Sequence, residues 1–330
     1  MGLVLFLLVF QVPLLDDENI QGILIGNGGD IPSAVLRIKE SGITPYDYGI
    51  RLLRIGKGDE AEQWFQSLTE TFDDVNFVYG RAWIRWKTGN LEAALKDAIY
   101  LTDQELTPIL TARTYYLLGN LGLNSDRLDL ARENLNAGLK VYKSLGKNGG
   151  QYLCYSLLAA VEIAEKNYDK VEPLLEMALK ANQRAAEAGY KPYDMGQYHD
   201  LMGEMYFGKR EYNKALSSYR NAYAGYQEGN SEYYADGVQV KIGILYYILG
   251  KPRRAYKIGK DINERYLRTN ETRLYAFNNI LLAMLAKCGQ EEANYQARVN
   301  SAKDWAGQKP GRTDLMEVLQ MLDKLPCPKL

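Results

Sequence analysis

Residues 195–223, MGQYHDLMGEMYFGKREYNKALSSYRNAY, contain the two spacings that decide the fold of this chain. His199, Gly203 and Tyr206 follow one another at steps of four and three residues, which return to the same face of a helix. The same steps recur in residues 212–222. The polar residues GKRE between the two halves are typical of a turn. The stretch therefore predicts two helices joined by a short turn and packed together along these faces.

Gly203 and Ala215 lie twelve positions apart (203 to 215), and pairs with this spacing recur along the chain. A small residue where two helices cross lets the backbones approach closely, whereas a larger one holds them apart. Recurrence of one internal distance indicates a repeat array. The pairs, most of them small residues, are Gly49 and Ala61, Ala82 and Ala94, Gly119 and Ala131, Ala159 and Val171, Gly203 and Ala215, Gly243 and Ala255, and Leu281 and Ala293.

This pattern resembles the tetratricopeptide repeat (TPR) family, whose units are helix-turn-helix pairs with small residues at the crossings. The resemblance implies an all-α fold, a right-handed α-solenoid of about seven helix-turn-helix (TPR-like) repeats. Successive repeats in this sequence begin 33 to 44 residues apart (49 to 82 and 159 to 203). Because the family period is about 34 residues, several repeats carry longer helices. Stretched repeats of this kind occur in peptide-binding scaffolds and in sensor modules of signalling proteins.

The repeats are expected to occupy residues 30–308, with residues 1–29 outside them and a capping helix and tail in residues 309–330. The apolar run at residues 3–15 is too short to cross a bilayer comfortably, and it lacks a basic region and a cleavage site. A signal, an anchor, a buried segment and a truncated start all remain open for this run. Export or membrane anchoring and a cytoplasmic location are therefore left equally open, and any membrane association would use residues 3–15.

Helix boundaries in the sequence agree with the repeats. Thr44-Pro45 and Thr107-Pro108 are typical of a helix start, where a threonine caps and a proline occupies the first turn. Pro173 is predicted to lie several residues inside a helix and to bend it. Four glycines stand where helices are expected to end: Gly146, Gly189, Gly229 and Gly289.

His199 is the only histidine of the chain, with Asp200 beside it and Glu204 one turn later. Such a group could supply a general base or a metal ligand. However, Tyr115 and Tyr155 occupy the corresponding place in other repeats, which favours a packed ring. The G-x-S-x-G, H-E-x-x-H and P-loop motifs are absent. We therefore predict a protein that is not an enzyme and has no catalytic residue, metal or cofactor.

The segment GILIGNGGDIPSAVLRI, residues 22–38, resembles a strand that runs through a glycine turn into a helix. Gly26, Gly28 and Gly29 could present backbone N–H groups to a phosphate. Ile31 occupies the third glycine position of the dinucleotide motif, and no alternation of strands and helices follows. We therefore interpret the segment as a turn that leads into the first helix.

Charge and cysteine content exclude two further classes of binding site. Lys and Arg number 40 against 41 Asp and Glu, with no basic block, so the footprint of a nucleic-acid-binding protein is absent. Cys154, Cys288 and Cys327 lie far apart and have no histidine nearby, which argues against a zinc site. We expect Cys154 and Cys288 to act as small apolar residues in the core.

The remaining candidate site is the groove that the first helices of stacked repeats line. Its N-terminal half combines aromatic residues with Arg51, Arg54, Arg85 and Lys87, and such side chains are typical of binding hot spots. We predict a protein or peptide partner, as an extended segment with apolar and acidic residues or as a helix; packing between neighbouring first helices is the alternative interpretation. A sensor or regulatory module of a larger signalling system is the alternative function. The candidate groove residues are Tyr46, Arg54, Tyr79, Trp83, Trp86, Tyr116, Asn120, Asp200, Glu204, Phe207 and Tyr247.

Overall fold

The computed structural model of the chain describes residues 18–229, 231–266, 278–279, 281–283, 285–286 and 297–300. All regular elements of that part are helices. The predicted all-α fold of helix-turn-helix repeats is confirmed. The chain divides into two lobes, which we call lobe 1 (Met1–Leu110) and lobe 2 (Thr111–Leu330) and treat separately.

Helices follow one another with short connections along the described chain. A 3₁₀ turn at Tyr168–Lys170 precedes one of them. The α-helices are α1 (Glu18–Leu24), α2 (Ile31–Glu40), α3 (Pro45–Arg54), α4 (Gly58–Thr71), α5 (Val75–Thr88), α6 (Leu91–Thr102), α7 (Pro108–Asn124), α8 (Leu128–Ser144), α9 (Asn148–Ala164), α10 (Val171–Glu187), α11 (Gly196–Gly208), α12 (Tyr212–Glu228), α13 (Glu232–Ile248) and α14 (Pro252–Tyr266).

From α3 onward the helices pair as the sequence predicts. In each pair the first predicted small residue lies in the first helix and its partner in the second, as with Gly203 in α11 and Ala215 in α12. The pairs are α3–α4, α5–α6, α7–α8, α9–α10, α11–α12 and α13–α14. The seventh predicted repeat, around Leu281 and Ala293, lies largely outside the described residues, so the total of about seven stays a prediction.

Close approach of the two helices of a pair is clearest between α7 and α8. A Cβ atom on Gly122 would lie 2.7 Å from the backbone nitrogen of Ala131, and one on Gly119 would lie 2.5 Å from the side chain of Leu135. Real Cβ atoms do not come this close to such neighbours, because hard-sphere repulsion rises steeply at these distances. Glycine at these positions therefore sets the distance between the helices.

The core of lobe 1 centres on Trp64 and Phe65 of α4, which are both fully buried. The Trp64 Nε1–H donates to the carbonyl oxygen of Pro45 at 2.8 Å, which fixes the start of α3 against α4. Ile20 of α1 and Ile38 of α2 belong to the same core. Residues 18–24, which the sequence places outside the repeats, are thus part of the packed lobe.

Most predicted helix ends lie where the sequence puts them. The Thr44 hydroxyl oxygen accepts from the backbone N–H of Asp47 at 3.0 Å and caps α3. α7 begins at Pro108. Gly146 and Gly189 follow α8 and α10 with φ of +63° and +81°, a conformation that glycine adopts without strain.

The prediction for Pro173 is wrong. The 3₁₀ turn at Tyr168–Lys170 delays the start of α10 to Val171, so Pro173 lies in the first helical turn. The first N–H groups of a helix have no acceptor within the helix, and a proline there sacrifices no hydrogen bond. Pro173 therefore gives no reason for α10 to bend.

The glycine-rich segment after α1 forms a turn and no strand. Residues 22–24 are the last residues of α1, Gly26 and Gly28 have φ of +74° and +84°, and α2 begins at Ile31. The interpretation as a turn leading into a helix is confirmed, and the resemblance to a strand is wrong. The apolar run at residues 3–15, Gly289 and the predicted capping helix in residues 309–330 lie outside the described residues. In the described part, no helix has both the length and the apolar character that a membrane span requires.

We predict that Gly122→Ala lowers the free energy of unfolding by about 3 kcal/mol, because the added methyl group forces two backbones apart. Asn136→Ala, on an exposed position of α8, is the control. Urea denaturation of the two variants and the wild type measures the difference. Equal stability of both variants would contradict the close-approach argument.

Candidate binding surfaces on the first helices

The first helix of the second repeat, α5, carries a set of packed aromatic rings. We call Tyr79, Trp83, Trp86 and Lys87 the aromatic cluster. The Trp83 and Trp86 rings lie 4.8 Å apart at 74°, and the Tyr79 ring lies 6.3 Å from Trp83. The Lys87 ammonium lies 4.0 Å from the centre of the Trp86 ring and 5.3 Å from that of Trp83. A cation over aromatic faces is attracted by the ring quadrupole, so the cluster is preformed.

Exposure differs within the aromatic cluster. Tyr79 is buried, whereas Trp83 and Trp86 are half-buried and Lys87 is exposed. On neighbouring α3, Tyr46 is half-buried with its ring 5.5 Å from Phe65, edge to face. Arg54, in the last turn of α3, is exposed. The two tryptophans, Lys87 and Arg54 thus offer the accessible part of the surface in lobe 1.

Arg85 does not contribute an unpaired positive charge to this surface. Its Nε–H donates to Glu62 of α4 at 2.8 Å, and its Nη1 donates to Asp97 of α6 at 2.8 Å. Arg81 holds the two carboxylate oxygens of Asp97 at 2.9 and 2.8 Å, a paired geometry that suits guanidinium. These ion pairs explain how Arg81 occupies a position that is apolar in other repeats, such as Leu118 and Ile242.

In lobe 2, Asn120 is held by its own helix. Its Nδ2 donates to the backbone carbonyl oxygen of Tyr116, one turn earlier, at 3.0 Å. Asn120 is buried, and Tyr116 is half-buried. Burial raises the pKa of the Tyr116 phenol, because it disfavours the charged form. Tyr116 therefore offers a neutral phenol near the surface, and the Asn120 amide is partly committed to the backbone.

Asp200 and Glu204 of α11 bind a lysine from the next first helix. The Lys241 ammonium of α13 lies 2.7 Å from Asp200 and 2.6 Å from Glu204; we call these three residues the charge triad. The predicted groove residues Asp200 and Glu204 therefore do not present two free negative charges, because one cation compensates one of the two carboxylates. The sequence did not indicate Lys241, since its long stem reaches a neighbouring helix and leaves no periodic signal.

Protonation within the charge triad follows from burial and attraction. Burial raises the pKa of the Asp200 carboxyl to about 6, against the opposing attraction of Lys241. For Lys241, burial acts to lower the pKa, but the two carboxylates outweigh it and hold the pKa well above its usual value. The ammonium is therefore charged at neutral pH and ties α11 to α13.

Phe207 and Tyr247 end the predicted set. Phe207 is 36% exposed, and its ring lies 5.8 Å from that of Tyr212. Tyr247 is 2% exposed, so its ring contributes to the core of lobe 2 and offers little surface. Only Phe207 of this pair presents an accessible ring.

His199 is half-buried, with its ring 5.1 Å from that of Tyr198, edge to face. Desolvation lowers the pKa of the imidazole, because burial disfavours the charged form. No group of side chains able to hold a metal ion occurs among the described residues. Cys154 is fully buried, which raises the pKa of its thiol to about 12. The contacts of both residues are those of packing.

No protein-family model matches the sequence, and no curated protein sequence matches it. Solved structures do match. A Rap protein complexed with competence and sporulation factor has a TM-score of 0.58 at 13% identity, over 85% of this chain and 98% of that chain. NprR in complex with its cognate peptide NprX has a TM-score of 0.57 at 16% identity, over 86% of this chain and 82% of that chain.

A third similar structure is a signal transduction ATPase with numerous domains from Pyrococcus horikoshii, which has a tetratricopeptide repeat sensor. Its TM-score is 0.56 at 16% identity, over 97% of this chain and 51% of that chain. At these identities the similarity concerns the fold. Together with the helix pairs, it shows that the chain has a TPR-like helical solenoid fold.

We predict that Lys241→Met lowers the free energy of unfolding by about 2 kcal/mol at neutral pH, because two carboxylates then face each other without a cation. Partial exposure of the three side chains (19–35%) keeps this below the cost for a fully buried pair. The loss should shrink as the pH falls towards about 6, because Asp200 without Lys241 is protonated at a higher pH than in the wild type. Urea denaturation measures both effects. Lys257→Met on the exposed face of α14 is the control, and equal losses in both variants would contradict the charge triad.

We predict that His199→Phe removes a pH dependence of stability. The lowered folded-state pKa means that stabilisation by neutral His199 is complete above the unfolded pKa, about 6.5, and is lost as the pH falls through the folded pKa. Between about pH 7.5 and 5, the unfolding free energy of the wild type should therefore fall relative to that of the variant. Because the chain has one histidine, denaturation curves of the two proteins isolate this effect. A constant difference across the range would contradict it.

Proposed function

We propose that the chain is a non-catalytic protein–protein interaction scaffold whose first helices bind a peptide or a partner helix. The observation that carries this proposal is the aromatic cluster, in which Trp83 and Trp86 lie half-buried on α5 with Lys87 over both rings. Tryptophan and cationic side chains held in place before binding supply affinity at a low cost in conformational entropy.

The chemistry of lobe 1 selects the character of the partner. Apolar side chains would pack on the exposed edges of Trp83 and Trp86, which removes more apolar surface from water. Lys87 and Arg54 are exposed cations. Arg85 is paired with Glu62 and Asp97. A carboxylate of the partner would bind the exposed cations. An extended segment that combines apolar and acidic residues fits this surface.

The first helices of lobe 2 offer a different surface. Phe207 supplies an accessible ring and Tyr116 a half-buried one. The charge triad supplies hydrogen-bonding oxygens with one cation among them. With one of its two carboxylates compensated, the triad is suited to polar contacts with a peptide backbone more than to strong attraction of a cation. Asn120 and Tyr247 contribute through packing and through the position of their neighbours.

One of the similar structures supports peptide binding, since it is NprR in complex with its cognate peptide NprX. The Rap protein is likewise complexed with a partner, competence and sporulation factor. At 13% and 16% identity they support a fold suited to this role, and the chemistry must come from the residues of this chain. The non-catalytic assignment rests on the absence of catalytic motifs from the sequence and on the packed environment of its single histidine.

A sensor or regulatory module is the second candidate function. It is favoured by the signalling ATPase from Pyrococcus horikoshii, which has a tetratricopeptide repeat sensor and whose chain is about twice as long as the part matched here. In such a module, peptide binding on the first helices would control an effector. The second candidate function thus uses the same binding surface, and in addition peptide binding regulates an effector.

We predict that a peptide library displayed on phage and selected on the full chain yields peptides with apolar and acidic residues. The double variant Trp83→Ala, Trp86→Ala should weaken binding of a selected peptide at least about tenfold, as loss of a hot spot does. Fluorescence anisotropy of the labelled peptide measures the dissociation constant. The control is Tyr100→Ala, which removes an exposed ring from α6, the second helix of the same repeat. Unchanged binding by a folded double variant would contradict the proposal.

A further inference from the structure

In four of the first helices, the residue three positions after the small residue carries a long side chain that meets elements on both sides. Arg85 holds this position in α5, Glu162 in α9, Tyr206 in α11 and Tyr246 in α13. A side chain here reaches the second helix of the preceding repeat and that of its own repeat. The position therefore holds polar contacts that join consecutive repeats.

At two of these positions the charges compensate each other. Arg85 lies between the carboxylates of Glu62 and Asp97, at 2.8 Å from each. Glu162 binds the Arg132 guanidinium of α8, and the Lys170 ammonium lies 3.7 Å from its other oxygen. In both cases a central charge is surrounded by groups of opposite sign, as a buried charge requires.

Tyr246 is the exception, because two cations meet at a neutral phenol. The Arg220 guanidinium of α12 donates through Nη2 to the phenol oxygen at 2.7 Å. The Arg254 guanidinium of α14 lies 5.6 Å from the centre of the Tyr246 ring, and that of Arg220 lies 5.9 Å from it. The hydrogen bond from Arg220 is the main cause that lowers the pKa of Tyr246, and the charges of the two arginines add to it.

The two guanidinium groups lack the compensation seen elsewhere. Arg81, Arg85 and Arg132, for example, each pair with a carboxylate. At the corresponding ring in the preceding repeat, Tyr206, the cation is Lys214, which is 5.3 Å from the ring and paired with Glu211 at 2.5 Å. Only the Tyr246 position gathers two cations around one ring with no carboxylate of the described residues beside them.

We propose that Arg220, Tyr246 and Arg254 form a binding site for a phosphoryl group. Two guanidinium groups supply two positive charges, which a phosphate dianion compensates and a single carboxylate does not. The planar fork of each guanidinium can donate two parallel N–H bonds to phosphate oxygens. The phenol oxygen accepts from Arg220, so its own O–H is available to donate to the ligand.

The surrounding sequence favours an anionic ligand. On α14, Arg253, Lys257 and Lys260 accompany Arg254, with Asp261 and Glu264 following in the second half. This excess of cations at the start of α14 attracts anions towards the site and raises their local concentration. The phosphoryl group could come from free phosphate or from a phosphorylated side chain of a protein partner. Both sources are chemically distinct from the peptide of the proposed function, which is recognised by its apolar and carboxylate groups.

The test is isothermal titration calorimetry of the full chain with inorganic phosphate, a phosphoserine tripeptide and acetate, at low salt and about pH 7.5, where phosphate is largely a dianion. We expect phosphate and the phosphopeptide to bind and acetate to bind at least about tenfold more weakly, since it compensates a single charge. Tighter binding of the phosphopeptide than of phosphate assigns the source to a modified partner, and the reverse order assigns it to free phosphate.

Arg220→Gln and Arg254→Gln should each weaken phosphate binding about tenfold, the loss of one charge-assisted contact. Arg253→Gln removes the same charge from an adjacent exposed position and should change the dissociation constant less than about twofold. Tyr246→Phe keeps the ring and removes the hydroxyl, so it should weaken binding while circular dichroism shows an intact fold. Equal loss in Arg253→Gln and Arg254→Gln, or no phosphate binding by the wild type, would overturn the site.

Discussion

The structure depends on the close approach of two helices at a small residue. Where Gly122 meets the backbone of Ala131, a single added carbon atom would not fit. The two helices of a pair are joined by a short turn. The distance between them therefore determines which helix faces are left to pack against the next pair. The positions of the aromatic cluster and the charge triad follow from that geometry, since both lie on first helices beside the small residues.

Much of the fold could be predicted from the sequence, because closely crossing helices require small residues at a constant spacing. The helix pairs from α3 to α14 lie where the spacing puts them. Pro173 was misplaced, since a 3₁₀ turn changes where a helix begins without changing the apolar pattern. Lys241 was missed for a related reason. A long charged side chain such as that of Lys241 binds residues on another helix. Such a contact produces no periodic pattern in the sequence of its own helix.

In the candidate binding surfaces too, spacing in the sequence identifies residues on a helix face, whereas contacts between helices are seen only in the structure. Aromatic residues on α5 could be identified from their spacing, and the structure adds that Lys87 covers the two tryptophan rings. The same reasoning counted Arg85 among the basic residues of the groove, whereas Asp97 and Glu62 already pair with it. Counting charges by helix face therefore overestimates the charge that a partner meets, because interhelical ion pairs compensate part of it.

The central claim is that a peptide binds at Trp83 and Trp86. The most direct measurement is the fluorine NMR spectrum of the chain labelled with 5-fluorotryptophan, recorded with and without a selected peptide, with resonances assigned by single Trp→Phe variants. The Trp83 and Trp86 resonances should shift on binding, whereas that of the fully buried Trp64 should stay in place. A peptide that binds while the Trp83 and Trp86 resonances remain unchanged would contradict binding at these tryptophans.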